Sequence, residues 1–260
     1  MDLLLKDKVI LVTGGAKGIG EGIVRVLAAE GAIPVIVGRN QQDNTALVES
    51  VSETGGQAFG IVAELSKPED CERAVAEAAG RFDRIDAVVN NAGLNDGVGL
   101  ESGNYAAFIA SLHNSLVHYY LITHHALPYL KQTKGCILNI TSKTAETGQG
   151  NTSGYAASNG GRNALTREWA VELAPYGIRV NAIVVAESWT PQYASWIQTL
   201  AEPEEMLKTI TSRIPLEKRM TTTEEIANMA AFLISEKSSH TTGQLIHVDG
   251  GYVHLDRAIR

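Results

Sequence analysis

Short, continuously apolar runs alternate with helix-period segments along almost the whole chain, and this alternation most restricts the fold. Lys8–Thr13 (KVILVT), Ile33–Gly38 (IPVIVG), Gln57–Val62, Ile85–Asn90 (IDAVVN), Gly135–Thr141, Ile178–Val184 and Gln244–Val248 read as strands. They are apolar throughout rather than every second residue, the mark of strands buried on both faces. Helical patterns lie between them. These are Gly18–Glu30, with Ile19, Ile23, Val26 and Leu27 on one side, then Asp43–Thr54 and Pro68–Arg81. A long helical region from about Ser102 to Leu130, a helix holding Tyr155 and a helix near Thr223–Ser235 follow. Strands separated by helices make a parallel sheet, and right-handed crossovers cover both its faces. The expectation is an α/β fold: a single-domain, doubly wound, Rossmann-like parallel sheet over residues 1–260. No repeat or Pro/Ser-rich linker divides the chain. Residues 187–212 interrupt the alternation and are expected to form a substrate lid.

Composition excludes several classes of function. The formal net charge of -7 argues against nucleic-acid binding, which needs a basic face. No apolar run approaches the ~18 residues of a membrane span. Cys71 and Cys136 have no CxxC spacing and read as reduced thiols. The opening MDLLLKDKVI has three leucines before a lysine, too few for a signal-peptide core, so a cytoplasmic protein is expected. Seven histidines include no HxxxH or HExxH pair. The adjacent His124 and His125, and His113 with His118, give no metal-ligand spacing, and no metal is expected.

Thr13-Gly14-Gly15-Ala16-Lys17-Gly18-Ile19-Gly20 follows the first strand and opens the first helix. Glycines there let the backbone approach a pyrophosphate, and the helix start supplies amide donors and partial positive charge. The second strand ends in Gly38-Arg39-Asn40, with no acid before Asp43. An acid at that place favours NAD and an arginine accommodates the 2′-phosphate of NADP. Arg39, with Lys17 reaching the same phosphate, points to NADP, with NAD as the alternative.

Together with Asn90-Asn91-Ala92-Gly93, Ser142 thirteen residues before Tyr155, and the closing Val248-Asp249-Gly250-Gly251, these residues make the chain resemble the short-chain dehydrogenase/reductase family over essentially its whole length. The resemblance implies hydride transfer with a nicotinamide cofactor and a homo-oligomer, dimer or tetramer. It implies Tyr155 as acid/base, Ser142 as the hydroxyl holding the substrate oxygen, and Asn114 as the residue helping to hold a proton-relay water. For the cofactor it implies Gly14, Lys17, Gly18, Ile19, Gly20 and Arg39. It adds Glu64 near the adenine amine, Asn90 bracing the central strands beside the cofactor, Ala92 as a further cofactor contact, and Thr190 near the nicotinamide carboxamide.

One departure bears on activity. The family has a lysine four residues after the tyrosine, holding the nicotinamide ribose and lowering the tyrosine pKa; here Asn159 stands there. An asparagine can bond ribose hydroxyls but carries no charge. Moving a phenol from ~10 to ~7 takes about 4 kcal/mol, so a slowed chemical step is expected, with Lys143 read as a solvated lysine rather than a substitute cation. The family's Pro-Gly pair after the sixth strand is also replaced, by Val185-Ala186, a change read as minor.

Polar stretches from Ser142 to Tyr155 and at Asn95-Asp96-Gly97, with Glu187, Trp189 and Trp196 on the lid, suggest a sugar or polyol substrate. Asn95, Asp96, Ser142, Glu187 and Trp189 are the expected substrate contacts. The stretch from Lys143 to Tyr155 and the closing Gly250–Ala258 resemble the L-fucose dehydrogenase-like branch, which oxidises the anomeric carbon of an aldose. The alternatives are a non-catalytic NAD(P)-binding module or sensor and, more remotely, a non-redox lyase on the same fold.

Overall fold

The computed structural model describes residues 1–256. Arg257 and Ala258, at the end of the closing stretch, lie outside the described residues. The strands are β1 (Val9–Thr13), β2 (Ile33–Gly38), β3 (Phe59–Val62), β4 (Ala87–Asn90), β5 (Cys136–Ser142), β6 (Arg179–Val185) and β7 (Leu245–Val248). All pair in parallel in the order β3-β2-β1-β4-β5-β6-β7. The direction of strand addition reverses between β1 and β4. The carboxyl ends of the strands at such a switch point form the ligand crevice of open α/β sheets.

Successive β1 residues explain the absence of alternation in the sequence. Ile10 and Val12 belong to one core cluster, while Val9 and Leu11 belong to the other. The first cluster packs α1 (Gly18–Ala29) and α9 (Thr223–Ile234) on one face, with Ile23, Leu27, Ile226 and Ala230. The second packs α3 (Pro68–Phe82), α5 (His118–Thr133) and α6 (Ser153–Leu173) on the other, with Val75, Tyr119, Ile122 and Trp169. Trp169 is thus a core residue against the sheet.

The helical region expected over 102–130 is α4 (Tyr105–Leu112), a π-helical turn His113–Val117, and α5. Asn104 starts α4 by accepting from the Ala107 amide at 3.0 Å. Within the π turn, side chains reach the helix carbonyls: the His118 ring bonds Asn114 O at 3.2 Å and Arg162 donates to Ser115 O at 2.7 Å. Such wide turns often mark functional sites.

The segment 187–212 contains two short helices, α7 (Pro191–Ile197) and α8 (Pro203–Ser212), each with proline in its first turn. Prolines and acidic first-turn residues start helices that an apolar-period reading passes over. The segment is moored where Ser188 pairs with Thr221 and donates to its carbonyl at 2.9 Å. Among the described residues no helix is long and apolar enough to cross a membrane.

α9 holds α1 in place, so its own anchoring bears on the glycine loop. A capping box of Thr222 and Glu225 starts it. Arg179 of β6 closes its far end, donating to the carbonyls of Leu233, Ile234 and Ser235 at 2.8–3.1 Å. A guanidinium on helix-terminal carbonyls satisfies orphan acceptors and opposes the helix dipole. Arg179→Met is expected to lower unfolding free energy by about 2 kcal/mol, the scale of a charged hydrogen bond, read as an earlier urea midpoint.

Candidate active site

The loop after β1 leaves room only for glycine at its closest approaches. Gly14 and Gly18 have φ of 62° and 59°, in the left-handed region. A Cβ on Gly14 would lie 3.0 Å from the Ala92 backbone, and one on Gly20 would collide with the Gly14 carbonyl. No side chain caps the start of α1. The result is a backbone-lined cradle at a helix N-terminus, which fits a dinucleotide pyrophosphate. Ile19 turns inward and packs on the core. Thr13 and Asn91, which sequence reasoning did not single out, build the cradle. The Thr13 hydroxyl accepts from the amides of Asn91 and Ala92 at 2.9 and 3.1 Å. The Asn91 amide donates to Thr13 O and Gly14 O at 2.9 and 3.2 Å.

At the end of β2, Arg39 is exposed. Lys17 differs from expectation: its ammonium pairs with Asp43 at 2.8 Å. Asn40 caps α2 (Gln41–Glu53) by accepting from the Asp43 amide, which sets Asp43 in the first turn. The acid read as too distant therefore offsets one of the two cations. Glu64, beyond β3, accepts from the Ser66 hydroxyl at 3.2 Å.

Asn90 ends β4 fully buried and donates to Thr123 Oγ1 and Asn139 Oδ1, each at 3.0 Å, bracing β4 against β5 and α5. Asn114 lies in the π turn, exposed, with its carbonyl held by His118. A carbonyl only accepts, so the His118 Nε2 carries the proton. Burial, and then the charge of Arg162, push the His118 pKa down to about 3.

Ser142 closes β5 and Tyr155 sits in the first turn of α6, half-buried. Ser142 Oγ accepts from the Thr144 amide at 3.3 Å, capping a 3₁₀ turn that packs against α6. Asn159 is fully buried. Its amide donates back to Tyr155 O at 2.8 Å, and its oxygen accepts from Arg162 at 3.0 Å. The side chain expected to face ribose hydroxyls thus has both polar ends tied to its own helix.

Arg162 is the residue that sequence reasoning missed. It is 2 % exposed, and among the described residues no carboxylate lies within ion-pair distance. It donates to Ser115 O in two bonds, to Ile140 O at 3.1 Å and to Asn159, and covers the Tyr119 ring at 4.2 Å. A Cβ on Gly93 would lie 2.7 Å from its guanidinium, which therefore sits under the loop after β4. A signal was present: 155, 159, 162 and 166 share one helix face, so an arginine occupies the buried stripe of α6.

Lys143 corrects another expectation. It is 8 % exposed, not solvated. Its ammonium pairs with Glu187 and lies 4.1 Å from the Tyr252 ring. With its charge matched, it is not a spare cation. Glu187, expected to meet substrate, faces this lysine; together with burial, it pushes the pKa of Tyr193 up. Thr190 caps α7 and approaches the glycine loop, 3.4 Å from a Cβ placed on Gly18. Trp189, 47 % exposed, lines a groove with Gly18, Gly22, Arg25 and Thr223, on the α1 side. Asn95 and Asp96 accept from amides of their own loop, and Asp96 also from the Ser111 hydroxyl at 3.1 Å.

The buried His118 makes stability depend on pH. Its folded pKa is depressed, so the unfolded chain binds the proton first on acidification. Stability is full above the unfolded value of ~6.5 and falls by up to about 1.4 kcal/mol per pH unit below it. Urea midpoints measured from pH 7 to pH 5 are expected to decline with this slope, and His118→Gln is expected to flatten it.

Comparisons with known proteins agree with this architecture. A family model described as enoyl-(acyl carrier protein) reductase matches residues 14–253. The chain is 34% identical over 250 residues to a 3-oxoacyl-[acyl-carrier-protein] reductase of Thermotoga maritima, covering 96% of this chain and 99% of that protein. It is also 34% identical over 245 residues to an L-fucose dehydrogenase of Bos taurus, covering 94% and 88%. The crystal structure of Cj0485 dehydrogenase superposes with a TM-score of 0.94 at 46% identity, covering 100% of this chain and 99% of that one. This chain belongs to the short-chain dehydrogenase/reductase family, a family of oxidoreductases.

Proposed function

We propose that the protein is an NAD(P)-dependent dehydrogenase of a sugar or polyol, acting at the anomeric carbon of an aldose such as L-fucose. The observation that carries a catalytic reading is Arg162, a buried cation without a carboxylate, bonded to the asparagine that stands in the lysine position. A pocket released from chemistry has no need to hold an unmatched charge there, because burying one is costly. The sugar reading is supported by the polar residues about the cleft and by the likeness to L-fucose dehydrogenases. The similar likeness to acyl-carrier-protein reductases makes acyl thioesters the substrates to test against it.

In this reading the glycine cradle, Ala92 and Thr190 hold the cofactor, with Glu64 near its adenine and Asn90 bracing the strands beside its nicotinamide. The nicotinamide of a bound cofactor would supply the hydride acceptor for the substrate carbon. Ser142 orients the substrate oxygen and Tyr155 takes its proton. Asn114 helps hold the water that relays the proton onward. Arg162 is a positioning residue: it holds Asn159, whose amide is bonded to the Tyr155 carbonyl, and so fixes the turn that presents Tyr155. Asn159 itself carries no charge, so a slower enzyme than one with the lysine is the natural outcome. Residues 187–212 act as the lid. Arg39 selects NADP over NAD. Tyr120 and Val171, 51 % and 78 % exposed on α5 and α6, fit a homo-oligomer built on these helices. The neutral Asn159 favours the second reading, an NAD(P)-binding module without turnover.

The test is reduction of NADP⁺ and NAD⁺ with L-fucose and related aldoses, run beside reduction of 3-oxoacyl thioesters. Arg39→Asp is expected to shift preference toward NAD⁺. Turnover with thioesters alone would replace the sugar reading. Cofactor binding without any turnover would establish the module.

Arg162→Met is expected to lower kcat at neutral pH at least about tenfold, within the range of general acid–base effects, with part of the rate regained at higher pH. An equal loss at every pH would make its role structural. Asn159→Lys alone sets a second cation against the guanidinium and is expected to destabilise the fold. The same change together with Arg162→Met is expected to be tolerated and active, as thermal melts and the pH profile would show.

A further inference from the structure

Three chain segments bring metal-ligating side chains together. Glu146 lies just after the 3₁₀ turn that follows β5, His247 lies in β7, and His254 lies in the turns beyond it. One ligand atom of each falls within 4.8 Å of the other two. His247 Nε2 is 3.0 Å from the Glu146 carboxylate, and the two imidazoles meet edge to face with centroids 4.3 Å apart. We propose that Glu146, His247 and His254 bind a divalent transition-metal ion of the zinc type, clamping the C-terminal turns to the loop after β5.

The donor set chooses the metal. Two imidazoles and a carboxylate suit borderline ions such as Zn²⁺ over Mg²⁺ or Ca²⁺, which take oxygen ligands. Zinc–nitrogen and zinc–oxygen bonds of about 2.0–2.2 Å put tetrahedral ligand atoms roughly 3.3 Å apart. The Glu146–His247 separation is close to that already, and the third ligand closes by side-chain rotation. The fourth position is left to water.

The backbone under the ligands is held without the ion. Asp249 accepts from the amides of Gly251 and Val253 at 2.8 and 2.9 Å, which turns the chain after β7 so that His254 returns over His247. On the other side, the amides of Glu146 and Thr147 both donate to Lys143 O, at 2.9 and 2.8 Å. The ligand atoms thus stand on preset turns. His254 is exposed, and the side chains of His247 and Glu146 are 17% and 26% exposed, so a hydrated ion can reach them.

The experiment is equilibrium dialysis of the full chain, stripped with chelator, against Zn²⁺ alone, with bound metal counted per chain. Thermal melts and the visible absorption of the Co²⁺-substituted protein are read alongside. The expected result is saturable binding of one ion per chain, a raised melting temperature and intense low-coordinate Co²⁺ bands. His254→Ala, on an exposed side chain, is expected to weaken binding at least about tenfold while its metal-free melt matches that of the parent. His247→Ala and Glu146→Gln are expected to do likewise, and His240→Ala, on another exposed histidine, to bind as the parent does. No saturable binding, or binding by His254→Ala equal to the parent's, would overturn the site. Hydrogen exchange gives a second reading: Zn²⁺ is expected to slow residues 144–150 and 251–256 in the parent alone, and equal slowing in His254→Ala would also overturn the clamp.

Discussion

The guanidinium of Arg162 links four parts of the molecule at one point: the π turn through Ser115, β5 through Ile140, α6 through Asn159, and α5 through the face of Tyr119. A buried charge is tolerated only when its donors are taken up and its field is accepted by nearby dipoles. Carbonyl oxygens and an aromatic face do that here in place of a carboxylate. The bond lengths of 2.7–3.1 Å to Ser115, Ile140 and Asn159 are those of well-formed hydrogen bonds. Because Ile140 is two residues before Ser142, and Asn159 is bonded to Tyr155, the same group sets the spacing of the two site residues. Its charge reaches His118 as well, adding to the burial that keeps that ring neutral.

A second buried cation is handled in the opposite way. Lys143 has a carboxylate, Glu187, and its charge is matched locally. The pair joins the turn after β5 to the start of the segment 187–212, and Tyr252 covers it from the C-terminal side. Removing one member of such a pair leaves an uncompensated charge, commonly at a cost of about 3–5 kcal/mol. The contrast is one of partners: Lys143 is matched by a carboxylate, whereas Arg162 is held by carbonyl oxygens and an aromatic face.

Strands, crossover helices and the glycine loop were legible because they depend on local rules. Period-free apolar runs mean two-sided burial, and a glycine loop at the first strand–helix junction leaves few uses. β3 and β4 begin two residues later than expected, because Gln57-Ala58 and Ile85-Asp86 precede the paired ladder. The π turn at His113–Val117 was not legible, since it is accompanied by side chains from His118 and Arg162. Nor were α7 and α8, whose starts rest on Pro191 and Pro203. At the site, the positions of Gly14, Ser142 and Tyr155 followed from motif spacing. The partners of Lys17, Lys143 and Asn159 did not, because a charge read along the chain says nothing of what faces it.

The sequence by itself determined the parallel doubly wound sheet, the glycine loop between its first strand and first helix, and the absence of a lysine four residues after Tyr155. These follow from hydrophobic period, glycine sterics and residue identity, all local properties. Only the tertiary structure decided that Arg162 stands beside Asn159, that Asp43 offsets Lys17, that Glu187 neutralises Lys143, and that Glu146 meets His247 across 101 residues of chain. Electrostatic interactions depend on distance through space and on the dielectric between the groups. Packing alone sets both.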